Sequence, residues 1–211
     1  MSAFLLAKSR SGYSLKEQGS RRAINIDFTS GRFGYRLKHG GRELLARAVK
    51  AKPGVHVLDV TAGLGVDSFV LAARGCEVTM VERSHTLWLM LEDSLARARA
   101  HPEIGPVASR MTLVRGEARF VMAHLDTLPD AILIDVMFPP RRKSAAVRGD
   151  LQLLQRFLGK DEDVRSLTLA ARATGCRRVV VKRPLLGGEI PGLVPSVTIK
   201  GKASRFDVFV Q

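Results

Sequence analysis

From residue 55 onward the chain alternates short apolar runs with longer stretches whose apolar residues recur every three or four positions. The runs "VHVLDV" (55–60), "EVTMVE" (77–82), "MTLVRG" (111–116), "AILIDV" (131–136) and "RRVVVK" (177–182) predict strands. Several are nearly continuous in apolar character, the pattern of strands covered on both sides. Helical spacing predicts helices at about 67–74, 85–100, 117–124 and 161–174. Asp161, Glu162 and Asp163 open the last of these, where carboxylates suit the positive end of a helix dipole. "SVTIK" (196–200) and "RFDVFVQ" (205–211), joined by Gly201 to Ser204, predict a closing hairpin. Strands alternating with helices imply an α/β fold whose mostly parallel sheet has helices on both faces. Earlier, "AINIDF" (23–28) predicts a short strand, and 42–50 a helix ended by Pro53 and Gly54. Residues 1–22 are polar, basic and rich in Ser and Gly, and are expected to form a loosely held arm. The chain thus divides into a basic arm with a small lead-in segment (1–50) and one catalytic-sized unit (51–211).

Charge narrows the choice of partner. The 34 Lys and Arg against 20 Asp and Glu give a formal charge of +14, which attracts a polyanion. Residues 1–50 hold eleven of the cations and only Glu17, Asp27 and Glu43 as acids; a second cluster, Arg141, Arg142, Lys143 and Arg148, has no acid within it. Cys76 and Cys176 show no CxxC spacing and the five His are scattered, so neither a disulfide framework nor a metal site is expected. No run approaches the ~20 apolar residues of a membrane span, and the five-residue "AFLLA" is too short for a secretory signal. A cytoplasmic protein fits these features.

The first strand of the α/β unit runs into "DVTAGLGVDSF" (59–69). A glycine-rich turn between strand and helix lets backbone approach a ligand, and Asp59, Ala62, Gly63 and Gly65 are assigned to it. The next strand ends on Glu82, where an acidic side chain in such folds accepts the ribose hydroxyls, and Arg83 follows. Asp67 at the helix start would repel a pyrophosphate but welcome an ammonium, and S-adenosylmethionine carries an ammonium and a sulfonium. A structural glycine turn with a helix-capping Asp67 uses the same residues and stays open as the plainer reading.

"AILIDVMFPP" places Asp135 at the carboxyl end of a strand, the edge where open α/β sheets bind ligands. A carboxylate there can accept the N–H bonds of an exocyclic nucleobase amine, a poor nucleophile that needs orienting. Phe138 offers a stacking face, Pro139 and Pro140 stiffen the loop, and Arg141, Arg142 and Lys143 can hold phosphates. Singly, each has a bland alternative: a turn cap, a core aromatic, a solvated loop.

With these residues in view, the sequence resembles the class I, Rossmann-like S-adenosylmethionine-dependent methyltransferases, and within them the RsmJ family of small-subunit ribosomal RNA guanine-N2 methyltransferases. The resemblance runs from about Ala23 to the C-terminus and rests on "IDFTSG", "DVTAGLGVDSFVLAARGCEV", "VER", "DVMFPPRRKSAAVR", "RRVVVKRP" and "KGKASRFDVF". It implies a seven-stranded sheet with a C-terminal antiparallel hairpin, and S-adenosyl-L-methionine as cofactor. It further implies cofactor contacts at Val66, Asp67, Glu82, Arg83, Glu117, Ala118 and Asp135, and a target-base pocket over Asp135 to Pro139. Lys182, Arg183 and Pro184 would line the RNA side, with 16S rRNA or the 30S subunit as partner. This chain differs from the family pattern at Val136, where proline is usual, and at Glu117-Ala118, where two serines are usual. Two other readings compete: a catalytically weakened RNA-binding paralogue, motivated by Val136, and a small-molecule methyltransferase, which the basic clusters argue against.

Overall fold

All seven strands expected beyond residue 55 form, and they join one sheet. The computed structural model describes residues 3–30, 43–136, 149–159 and 164–211, excluding the side chains of residues 43 and 149–151. The seven are β4 (His56–Asp59), β5 (Glu77–Glu82), β6 (Met111–Arg115), β7 (Ala131–Ile134), β8 (Arg178–Pro184), β9 (Val197–Lys200) and β10 (Ser204–Val210), in the order β6-β5-β4-β7-β8-β10-β9. Contacts from β6 through β8 are parallel; β10 lies antiparallel between β8 and β9. The chain builds outward from β4 on one side, then returns to its other side at β7. That reversal opens a crevice at the carboxyl ends of β4 and β7.

Side chains of the central strands divide by parity between two cores. Val57, Leu133 and Val180 pack on one face with α1 (Glu43–Val49), α2 (Val66–Ala73) and α3 (His85–Arg99). Leu58, Ile132, Ile134, Val179 and Val181 pack on the other with α5 (Ala118–Ala123) and α7 (Val164–Ala173). Burial on both faces explains why these strands read as unbroken apolar runs. Two helices absent from the sequence reading also form: the single turn α4 (Gly105–Ala108) and α6 (Gly149–Leu158), whose Leu153 and Leu154 enter the first core. Asp161 to Asp163 lie outside the described residues.

The expected loose arm is instead a folded element. β1 (Phe4–Ser9) and β2 (Gly12–Glu17) pair as a hairpin, and β2 pairs with β3 (Ala23–Asn25) in a separate antiparallel sheet. Gly12, at φ 106°, makes the turn possible. Leu15 and Ile24 are each 1 % exposed in the first core, which holds the inner face of this sheet. Phe4 meets the ring of Phe157 in α6 edge-on at 5.2 Å, and Arg156 of that helix pairs with Glu17 at 2.7 Å. On the α3 side Arg97 donates to Asp27 and to the Ile26 carbonyl. The lead-in strand stops at Asn25, yet Ile26 and Phe28 remain buried beyond it.

Candidate active site

The crevice holds a cleft open to solvent, and its lining includes Thr61, Gly63, Glu82, Arg83, Gly116 and Asp135, with Leu158 of α6. Its floor follows from strand parity. Asp59 continues the Val57 row, Asp135 the Leu133 row and Lys182 the Val180 row, so all three point toward α2, one or two residues past the last apolar position. The register of β7 and β8 pairs Ile134 with Val181, which sets Asp135 beside Lys182. The Lys182 ammonium donates to Asp135 Oδ2 and to Asp67 Oδ2 in α2, each at 2.6 Å. Burial disfavours its charge, but the two carboxylates outweigh that and raise its pKa above the ordinary lysine value. Burial raises the pKa of Asp135, while Lys182 pulls it back down.

Behind this trio lies Asp59, 2 % exposed. It accepts from the Thr61 N–H at 3.1 Å and from the Ser68 hydroxyl at 2.5 Å. Burial, aided by the nearby Asp67 and Asp135 charges, lifts its pKa to about 7. Thr61 closes the network, its Oγ1 accepting the Asp135 N–H at 2.6 Å. The ends of β4, β7 and β8 and the first turn of α2 are thereby tied through side chains.

On the other side of the turn, Glu82 at the end of β5 is 6 % exposed. Its Oε2 accepts the Gly63 N–H at 3.0 Å and its Oε1 the Ser84 N–H at 2.7 Å. Burial raises its pKa. Ser84 in turn caps α3 by accepting the Leu87 N–H. One carboxylate thus fixes both the glycine turn and the entry to α3 while facing the cleft, with lone pairs left for a ligand hydroxyl.

The two glycines of the turn have different duties. A Cβ on Gly63 would meet nothing nearer than 3.8 Å, so its bare backbone leaves room in the cleft; a Cβ on Gly65 would strike Phe28 at 2.9 Å and Leu91 at 3.0 Å. Gly65 is therefore glycine for packing against the core and for its φ of 67° as the N-cap of α2. Of the residues assigned to the cofactor, Gly63, Glu82, Arg83 and Asp135 line the cleft. Asp59, Ala62, Gly65, Val66, Asp67, Glu117 and Ala118 do not contribute to its lining. Lys182, expected on the RNA side, sits between the two aspartates. Arg183, on the opposite parity, is 7 % exposed and donates to the Gly188 carbonyl. Phe138, Pro139, Arg141, Arg142, Lys143 and Arg148 lie outside the described residues. The sequence reading passed over Thr61, whose place just past the β4 carboxyl end was the available signal.

The residues present fit S-adenosylmethionine. Glu82 offers a buried carboxylate at ribose depth, Gly63 leaves open space, and the Asp67–Lys182–Asp135 trio carries a net negative charge toward a cationic ligand. Among the described residues no group of three His, Cys, Asp or Glu could hold a metal ion, and no helix is long and apolar enough to cross a membrane.

Comparison with known proteins agrees. The family model for SAM-dependent methyltransferases matches residues 1–211. The ribosomal RNA small subunit methyltransferase J of Pseudomonas paraeruginosa is 44% identical over 191 residues, covering 88% of this chain and 73% of that protein. The protein of the same name from Aeromonas hydrophila is 45% identical over 193 residues, covering 89% and 78%. The crystal structure of a SAM-dependent methyltransferase from Neisseria gonorrhoeae superposes with a TM-score of 0.79 at 37% identity, covering 99% of this chain and 83% of that one. A seven-stranded class I sheet, a cleft built for S-adenosylmethionine and these relatives together place the chain in the SAM-dependent methyltransferase family that includes the ribosomal RNA small subunit methyltransferases J.

Proposed function

We propose that this enzyme methylates the exocyclic N2 amine of a guanine in small-subunit (16S) ribosomal RNA. The carrying observation is Asp135, a carboxylate at the carboxyl end of β7 that lines the same cleft as Glu82 and Gly63. S-adenosylmethionine supplies an electrophilic methyl group on a sulfonium. Asp135 accepts an N–H of the target amine, turning its lone pair toward the methyl. With the methyl group supplied by bound S-adenosylmethionine, the Asp135 carboxylate would take up the proton shed by the amine nitrogen and release it to solvent. Phe138 and Pro139 are read from the sequence as the base-stacking wall next to it. Arg141, Arg142, Lys143 and Arg148 are read as phosphate contacts.

The names of the relatives support ribosomal RNA as substrate, and so does the surface. Arg10, Lys16, Arg21 and Arg22 on the N-terminal sheet are exposed and make no ion pair with a described residue. A ribosomal substrate is consistent with work in the cytoplasm. The test is incubation with methyl-labelled S-adenosylmethionine and 30S subunits lacking their native guanine methylation, followed by nucleoside analysis. Label in N2-methylguanosine is expected, and Asp135→Ala should abolish it while leaving RNA binding intact. Label in another nucleoside would overturn the assignment; cofactor binding without transfer would favour a weakened RNA-binding paralogue.

A further inference from the structure

We propose that Lys182 is a positioning residue of the methyl-transfer site: its ammonium holds Asp135 in the orientation and charge state that let it receive the target amine. The inference rests on the role given to Asp135 above. Lys182 lies 2.6 Å from Asp135 Oδ2 and 2.6 Å from Asp67 Oδ2, with its side chain 27% exposed and those of Asp67 and Asp135 14% and 33%. It reaches this position from the centre of the sheet, since β8 is paired on one side with β7 and on the other with β10. The strand fixes its base and the two carboxylates fix its tip.

This contact limits what Asp135 can do. With Oδ2 engaged by Lys182 and the Asp135 N–H donated to Thr61 Oγ1, both the carboxylate and its backbone are anchored. The remaining acceptor capacity of the carboxylate serves the cleft that Asp135 lines. Among the described residues, the charged groups facing Asp135 are Lys182 from β8, Asp67 from α2 and Asp59 from β4. Lys182 is the one cation among them. Without it, three carboxyl groups would crowd one end of the sheet, and Asp135 would retain a proton where it must accept one. Asp67 is the second anchor: by sharing the ammonium it fixes the Nζ between α2 and β7.

The test compares wild type with Lys182→Met, which keeps the length of the side chain and removes its charge, and with Lys182→Arg, which restores a cation. In Lys182→Met, kcat at saturating RNA should fall on the order of 100-fold, the scale of a displaced general base. Its acidic pH–rate limb should move to higher pH, while RNA affinity and the salt slope of RNA binding stay at wild-type values. Lys182→Arg should recover part of the rate and return the limb toward its original position. In the cofactor-free protein, the carboxyl carbon of Asp135, followed by NMR through a pH titration, should titrate at higher pH in Lys182→Met than in wild type. An unchanged kcat, or an RNA salt slope reduced by one unit with kcat intact, would return Lys182 to the RNA surface and overturn the proposal. So would an unchanged Asp135 titration. If wild type fails to methylate ribosomal RNA, the substrate reading fails, yet the titration of Asp135 still decides what Lys182 does.

Discussion

Replacing Asp59 by Asn tests how the cleft is held up from behind. Asp59 is almost fully buried, and its pKa is raised from the ordinary 3.8 to about 7. Because the folded state holds this proton more tightly than the unfolded chain, folding gains from Asp59 below pH ~4 and loses that gain as pH rises toward 7. A shift of roughly three units at about 1.4 kcal/mol each gives up to about 4 kcal/mol lost across the window. Asn imitates the neutral acid: its Oδ1 can accept the Thr61 N–H, and the Ser68 hydroxyl can turn to accept from its amide. The variant should therefore match or trail wild type near pH 4.5 and gain on it steadily to pH 8. Urea unfolding of the cofactor-free protein at half-unit pH steps reads this directly. With a slope of about 2 kcal/mol per molar urea, the full difference moves the midpoint by up to about 2 M. Titrating groups distant from Asp59 cancel between the two proteins, leaving Asp59 and its coupling to Asp67 and Asp135. Parallel stability curves for wild type and Asp59→Asn would show that Asp59 is ionised in the fold and would refute the reasoning.

The two glycines of the turn should part company. Gly65→Ala should cost about 2–4 kcal/mol in stability, from left-handed strain plus the clash with Phe28 and Leu91, whereas Gly63→Ala should cost about 1–2 kcal/mol but weaken cofactor binding roughly tenfold. Thermal unfolding and calorimetry would separate these, and equal destabilisation would contradict the packing account. Glu82→Gln should weaken cofactor affinity on the order of 10–100-fold, since one amide cannot accept both the Gly63 and the Ser84 N–H; a change under twofold by calorimetry would remove Glu82 from the site. Replacing Arg10, Arg21 and Arg22 together by Ala should lower the salt slope of RNA binding by about one unit for each side chain that meets a phosphate. A slope that does not move would make that face merely solvated.

The sheet was legible because strands buried on both faces write themselves as apolar runs. What stayed hidden depended on contacts distant in sequence. β1 exposes most of its residues and owes its place to β2 and to Phe157, so "FLLAKS" looked like part of a loose arm. Lys182 was assigned to the RNA side by the family resemblance, and its pairing with Asp67 and Asp135 was not foreseen. Its parity with Val180, and that of Asp135 with Leu133, pointed to this pairing, but only once the register between β7 and β8 was known. Gly65 carried a ligand-binding signature, while the space its missing side chain leaves is filled by Phe28 from the lead-in segment. Thr61 was overlooked because a small polar residue in a glycine-rich turn has no signature until its partner, the Asp135 N–H, is in place.

The clasp between the N-terminal hairpin and α6 also sets an order of events during synthesis. Glu17 and Arg156 are separated by 139 positions. At about 5–20 residues per second, the hairpin leaves the ribosome some 7–28 s before its partner helix exists. A lone two-stranded ribbon is marginal in water, and Leu5 and Leu6 lie exposed on this one even in the finished fold. The hairpin thus waits for a partner made much later, and β10, which must enter between β8 and β9, arrives later still. Until α6 emerges the nascent chain carries an unclasped hairpin, and until β10 emerges the main sheet is left open beyond β8.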